Sequence, residues 1–371
     1  MAPHIVLVIG TRPELIKLAP LATALTDRGA RVTLLLTGQH PGLDLAGAGL
    51  EMSTMRMSHP PGLEPLEAVE AISTAAQSLL GPLDPDWVVV QGDTSSALGG
   101  ARAAVALGLP LGHVEAGLRS GDPNMPWPEE PFRIEIDAAS DLLFAPTPGA
   151  RDNLLRERVR GEIVVTGNTG IDALRLALMD IPERTPRNGS SLVLLTAHRR
   201  ENVGPAMADI AEGVRRAAGR TPFRLVILTH PRPDTAALTR KTFAGLPRTR
   251  FLPPQPPAQT LRWMLRSTAI LSDSGGISEE APTLGRPLLI LRDRTERPEA
   301  VEAGSALLVG SDPIRIRDGL LDLLEDPVLH AARALPRPVL GDGHAAGRIS
   351  DVLVKASPPS PTILDAPFPA A

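Results

Sequence analysis

Twelve short runs of apolar, largely β-branched residues, each followed by a stretch of helical pattern, constrain this 371-residue chain more than any other feature. The first six are HIVLVIG, RVTLLLTG, DWVVVQGD, PLGHVEAG, LLFAPT and EIVVTGN; the second six are SLVLLTAH, FRLVILTH, TRFLPPQ, AILSDSGG, PLLILR and ALLVGS. Buried strands that alternate with helices belong to parallel sheets covered on both faces, so two series predict two doubly wound, Rossmann-like α/β domains. Length agrees, because a single hydrophobic core stops growing at about 250–300 residues. The expected division is an N-terminal domain at 1–178, MDIPERTPRNGS (179–190) as linker, a C-terminal domain at 191–343, a last helix at 344–356 and a proline-rich disordered tail at 357–371.

Composition narrows the function. A net charge of −4 leaves no broad basic face for nucleic acid or an anionic membrane, so the basic residues that matter form a local pocket. The chain has no cysteine, which removes disulfides, thiolate nucleophiles and cysteine metal ligands and fits a reducing compartment. No apolar run reaches the roughly 18–20 residues that span a bilayer, and no charged signal start precedes the first strand; the expected location is the cytoplasm. Only Lys17, Lys241 and Lys355 are lysines, so 38 − 3 = 35 basic residues are arginine. Against that bias, a lysine retained where a strand ends invites a chemical explanation, and Lys17 is in such a place.

Reactive side chains collect at the ends of the strands. Arg12 and Lys17 follow the first run, Gln39 and His40 the second, Asp93 the third and Glu115 the fourth. In the second series His198, His230, Gln255 and Ser274-Gly275-Gly276 follow the first four runs. Open parallel sheets bind ligands beyond the carboxyl ends of their strands, where loops splay and helix N-termini point inward. Two domains offering such edges imply a cleft.

Each stretch has a plainer alternative. DSGGISEEAP (273–282) is a phosphate-binding turn or an ordinary strand-to-helix turn with Ser274 as N-cap, and Glu279 and Glu280 are expected in the first helical turn. RDRTERPEA (292–300) is an anion site or a solvated charged loop. A connection of about 20 residues running from GHVEAGLRSGD into PWPEEPFR carries Glu115, Glu129 and Glu130; with Asp93 these supply carboxylates for acid–base work, or merely a soluble loop. GTRPEL after the first strand is neither a dinucleotide turn nor a P-loop, and Asp, Glu and His are too dispersed for a metal cluster. The sequence therefore asks for no NAD, ATP or zinc.

Together, GTRPELIKLAPL, TGQH, QGDTSSAL, GHVEAGLRSGD, PWPEEPFR, TGNTGIDAL, TAHRREN, LSDSGGISEEAPTLGRP and RDRTERPEAVEAG resemble the non-hydrolysing UDP-N-acetylglucosamine 2-epimerases, in family order over residues 10 to about 304. The resemblance implies a glycosyltransferase-B type fold with an interdomain active-site cleft, a last helix crossing back to the first domain, a homodimer, no cofactor and a UDP-sugar substrate. It implies reversible C2 epimerisation of UDP-GlcNAc to UDP-ManNAc for cell-envelope polysaccharides. It places Asp93, Glu115 and Glu129 as the proton-transfer set, with Lys17, Arg133 and His198 as stabilisers. Arg12, Gln255, Ser274, Gly275, Gly276, Glu280 on ribose and Arg297 are the implied UDP ligands. Two departures stand out: Thr260 replaces an aromatic residue expected near uracil, and Gly42 replaces one of two glutamines of an activator site. Gln39 and His230 would then be remnants of that second site, with Arg56 the only arginine between 56 and 80, and activation by UDP-GlcNAc is expected to be weak or absent. Rival readings are a hydrolysing epimerase, an epimerase of a diacetamido uronic acid sugar, a glycosyltransferase and a non-catalytic UDP-sugar sensor.

Overall fold

The computed structural model describes residues 2–58, 62–181, 190–199, 202 and 204–356. The described residues form two compact units, one within Met1–Arg175 and Leu340–Ala371, the other within Leu176–Val339. Pro182 to Gly189, most of the expected linker, and the expected tail at 357–371 lie outside the described residues.

The first unit holds a seven-stranded sheet built from β1 (His4–Ile9), β2 (Arg31–Leu36), β3 (Ser53–Arg56), β4 (Trp87–Gln91), β5 (Leu111–Val114), β6 (Leu142–Ala145) and β7 (Glu162–Val165). Its order is β3-β2-β1-β4-β5-β6-β7, with every pair parallel. The second unit holds β8 (Leu192–Thr196), β9 (Arg224–Leu228), β10 (Thr249–Leu252), β11 (Ala269–Ser272), β12 (Leu288–Ile290) and β13 (Ala306–Leu308), ordered β10-β9-β8-β11-β12-β13 and again all parallel. Both sheets are doubly wound, and strand order reverses at β1/β4 in one and β8/β11 in the other. Such reversal points are where ligands enter open α/β sheets.

All twelve strands expected from the sequence are present. A thirteenth, β3, was not foreseen: it is a four-residue edge strand, half exposed, with none of the apolar continuity that marks a buried strand. The central strands earn their places by packing. Ile5, Leu7 and Ile9 of β1 share a core with Trp87, Val89 and Phe144, closed by Leu18, Leu21 and Leu25 of the helix Arg12–Asp27. In the second unit Val193, Leu195 and Leu271 pack against Ile210, Val214, Ile316 and Leu320 from covering helices.

The helix Ala345–Lys355 adds Ile349 and Leu353 to the core of the first unit, and Asp172 caps it by accepting the N–H groups of Ala345 and Ala346 at 3.1 and 2.9 Å. The residues just before it, Leu340 to Gly343, fall in the first unit rather than the second. Two bonds explain this: Asn168 N–H donates to the Leu340 carbonyl at 2.8 Å, and Arg175 Nε donates to the Gly343 carbonyl at 3.1 Å.

Candidate active site

The turn after β1 sets the first wall of the site. Thr11 caps the helix Arg12–Asp27, and Glu14 reaches back in a capping box, its Oε2 accepting the N–H groups of Gly10 and Thr11 at 2.6 Å. Thr94, the cap of the helix Ser95–Ala106, donates its hydroxyl to the other Glu14 oxygen. One buried carboxyl thus ties the strand ends on either side of the reversal point. Burial pushes the Glu14 carboxyl up, against these donors. The sequence signal for this brace is the T-x-x-E spacing from Thr11 to Glu14.

One turn further, Lys17 Nζ donates to both carboxylate oxygens of Glu115 at 2.8 Å. Gln91, the last residue of β4, donates its amide to the same carboxylate. Glu115 is buried and its backbone is left-handed, with φ 73°. A side-chain-bearing residue in that region is uncommon, and such strain gathers where geometry matters. Beside it Arg133 grips Asp93 through Nε at 3.1 Å and through a second guanidinium nitrogen, and donates to Glu130 at 2.8 Å. Glu130 also accepts the Ser120 N–H at 3.0 Å, and burial pushes its carboxyl up although Arg133 opposes this.

One expectation about this region is corrected. The connection after β5 is shorter than foreseen, because Glu129 and Glu130 open the helix Glu129–Ala139 instead of lying in the loop, and Arg133 lies on the same helix. Carboxylates suit a helix N-terminus, which favours negative charge. Glu129 keeps one oxygen, Oε2, buried and without a hydrogen-bond partner among the described residues. Buried polar atoms are normally satisfied, so an orphan on a site residue is open to a ligand. Arg12 is exposed, and its backbone N–H donates to His40 Nδ1 at 3.3 Å. Gln39 is used inside the fold: its carbonyl accepts the Ser96 N–H at 3.2 Å and the Ser96 hydroxyl at 2.5 Å.

In the second unit Asp273 is the organiser that the sequence reading left without a role. Its Oδ2 accepts the N–H groups of His198 and Arg199 at 2.8 and 2.9 Å and the Asn202 amide at 2.8 Å, so the exit of β11 fixes the exit of β8. His198 meets His230 edge to face with ring centroids 5.5 Å apart, and its Nδ1 is buried without a hydrogen-bond partner among the described residues. Burial, then the charge of His230, lowers the His198 pKa, although Asp273 pulls the other way. Neutral imidazole is therefore favoured at neutral pH.

Ser274 caps the helix Gly275–Thr283, leaving Gly275 and Gly276 in the first turn, whose N–H groups have no carbonyl within the helix. Because the helix starts at Gly275, Glu279 and Glu280 fall in its second turn, not the first as expected. Glu279 instead accepts from Arg297 at 2.7 Å, while Glu296 accepts from Arg297 at 2.5 Å and from Arg292 at 2.7 Å. Arg292, Glu296 and Arg297 thus join Glu279 in a buried ion-pair chain, while Asp293 and Arg294 between them are exposed. Arg297 lies against the turn: a Cβ on Gly275 would meet its guanidinium at 3.2 Å. Gln255 turns its amide to the Pro253 carbonyl at 2.7 Å, and Thr260 donates its hydroxyl to the Pro256 carbonyl at 3.3 Å. Glu280 is half-buried on the same helix as Glu279.

Fold and strand-end chemistry define a glycosyltransferase-B type α/β protein with two doubly wound units. A family model described as UDP-N-acetylglucosamine 2-epimerase matches residues 23–354. The Bacillus subtilis (strain 168) UDP-N-acetylglucosamine 2-epimerase is 37% identical over 362 residues, 94% of this chain and 94% of that protein. The crystal structure of UDP-GlcNAc 2-epimerase from Neisseria meningitidis bound to UDP-GlcNAc is similar with a TM-score of 0.89 at 35% identity, covering 95% of this chain and 100% of that one. The Methanocaldococcus jannaschii UDP-GlcNAc 2-epimerase in complex with UDP-GlcNAc and UDP gives a TM-score of 0.81 at 32% identity, covering 96% and 100%. The chain belongs to the UDP-N-acetylglucosamine 2-epimerase family. Among the described residues no helix is long and apolar enough to cross a membrane.

Proposed function

We propose that this protein is a non-hydrolysing UDP-GlcNAc 2-epimerase, interconverting UDP-GlcNAc and UDP-ManNAc. The observation that carries the reading is the clamp of Lys17 and Gln91 on the left-handed Glu115, next to Asp93 held by Arg133. It sets carboxylates and their cations at adjacent strand exits, in a chain whose relatives are UDP-GlcNAc 2-epimerases.

The chemistry explains why such a set is needed. The C2 proton of the sugar has no neighbouring carbonyl, so removing it outright is costly. Departure of UDP from C1 makes C1 electron-poor and acidifies C2; a carboxylate takes the proton, the C–H pair becomes the C1–C2 double bond, and the C1–O pair leaves with UDP. The product of this half is 2-acetamidoglucal. UDP then re-adds at C1 while a second group protonates C2 on its other face. Asp93, Glu115 and Glu129 are the proton-transfer set, and the orphaned Oε2 of Glu129 suits a group that meets the sugar. Lys17 and Arg133 orient these carboxylates and balance their charge. Neutral His198 offers a hydrogen bond to the leaving diphosphate.

In this reading the first unit supplies the acid–base groups, and the second holds UDP through Gln255, Ser274, the N–H groups of Gly275 and Gly276, Glu280 and Arg297; Arg12 adds a cation. The use of Gln39 by Ser96 supports weak activation by a second UDP-GlcNAc. A homodimer in the cytoplasm making cell-envelope precursors completes the picture. Product analysis decides the chemistry: UDP-ManNAc at equilibrium with UDP-GlcNAc supports it, whereas free ManNAc and UDP would mark a hydrolysing enzyme, and no product a binding protein.

A further inference from the structure

His113 lies on β5, two residues before Glu115, and is fully buried at 0% exposure. Its Nε2 meets the Gly92 carbonyl at 2.9 Å and its Nδ1 meets Asp137 Oδ1 at 2.6 Å. A carbonyl only accepts, so Nε2 is the donor there. Asp137, also at 0% exposure, uses its other oxygen to accept the Gly117 N–H at 3.0 Å and an Arg119 nitrogen at 2.8 Å. Burial alone would raise the Asp137 pKa, but His113 and Arg119 turn the net direction downward and keep it a carboxylate.

The backbone atoms held by this pair flank two proposed proton-transfer residues. Gly92 immediately precedes Asp93, and Gly117 follows Glu115 by two positions. Gly92, Glu115 and Gly117 are all left-handed, with φ of 72°, 73° and 80°. Gly117 has no room to change, since a Cβ there would fall 2.3 Å from the Ala150 carbonyl oxygen. Glu115 pays a conformational cost that only its surroundings can sustain.

We propose that His113 and Asp137 are positioning residues of the reaction: as one buried unit they fix the Gly92 turn that aims Asp93 and the Gly117 loop that keeps Glu115 left-handed. This inference rests on the epimerase reading. Neither residue transfers a proton in it; each acts through backbone that bears a carboxylate.

The test compares His113→Asn, His113→Gln and Asp137→Asn with the wild type in thermal melting, kcat, KM and calorimetric UDP affinity. Asparagine places its amide near the Nδ1 position and glutamine near Nε2, so only glutamine reaches the Gly92 carbonyl. In His113→Asn, kcat is expected to fall about tenfold to a hundredfold, the scale of a small misplacement of reacting groups. KM and UDP affinity should stay within about twofold, the mark of a loss confined to the transition state. His113→Gln should recover about fivefold or more of the lost kcat, because it restores the donor. A folded His113→Asn with kcat within about twofold of wild type, or with kcat and UDP affinity falling in proportion, or no recovery of kcat in His113→Gln, overturns the proposal. Should His113→Asn not fold, Asp137→Asn is held to the same kcat and UDP-affinity criteria. An inactive wild type defeats the epimerase reading itself, and is thereby distinct from failure of this inference.

Discussion

The two units treat their charged groups differently. In the first, candidate catalytic carboxylates are themselves gripped by cations far away in sequence: Lys17 on Glu115 and Arg133 on Asp93. In the second, carboxylates act as braces. Asp273 holds backbone N–H groups, and Glu279 and Glu296 hold Arg297, while His198 Nδ1 has no hydrogen-bond partner among the described residues and Gly275 and Gly276 sit in the first turn of their helix. Fixing a carboxylate's orientation suits proton transfer, where small displacements are costly. Presenting donors around a helix N-terminus suits an anion.

If that contrast is right, mutations in the first unit act on turnover and mutations in the second on nucleotide affinity. Glu115→Gln, which keeps the shape and loses the base, should have the largest effect: kcat lower by about 10²–10⁴, the usual worth of general acid–base catalysis, with UDP affinity in calorimetry unchanged. Lys17→Arg comes next. Arginine keeps the charge but not the single ammonium nitrogen that serves both Glu115 oxygens, and kcat should drop about tenfold to a hundredfold. Full activity in this variant would remove the special status of this lysine.

Asp273→Asn breaks the comparison from the other side. Losing the charge that gathers the His198, Arg199 and Asn202 donors should weaken UDP binding by about tenfold, with the smaller change in kcat. A larger fall in kcat than in affinity would mean that the two units are not divided in this way.

The smallest effect is in pH. His198 has its pKa lowered below 6.5, so the unfolded chain takes up this proton first and stability from this residue is lost as pH falls below 6.5. Activity that needs neutral His198 should show an acid limb below that value. His230→Asn removes the lesser of the two influences that lower it, so the limb should move to higher pH. Imidazole proton shifts of His198 in NMR measure this directly.

Much of this was legible in the sequence, and the remainder fails for physical reasons. Apolar continuity marks a strand only when both faces are covered, so twelve strands were readable and edge strand β3 was not. Lys17, Asp93 and Glu115 could be named because polar residues at strand exits stand out against the apolar run before them, whereas Arg133, on the helix Glu129–Ala139, was named only through the family resemblance. Their pairing could not be read, since Lys17 meets Glu115 only once β1, β4 and β5 have been set in order. His113 and Asp137 were missed because a histidine inside a buried strand and an aspartate within a helix have no periodic signature. Asp273 was quoted within DSGG but had no visible task until β8 and β11 paired.

The central claim is that the first unit performs proton transfer at C2 of a UDP-sugar. The most direct measurement is NMR or mass analysis of UDP-GlcNAc after incubation with pure wild-type protein in deuterated water, alongside Glu115→Gln. The account predicts deuterium at C2 and the appearance of deuterated UDP-ManNAc with the wild type, and both strongly reduced in the variant. Unchanged substrate with no deuterium from folded, UDP-binding wild-type protein would contradict it.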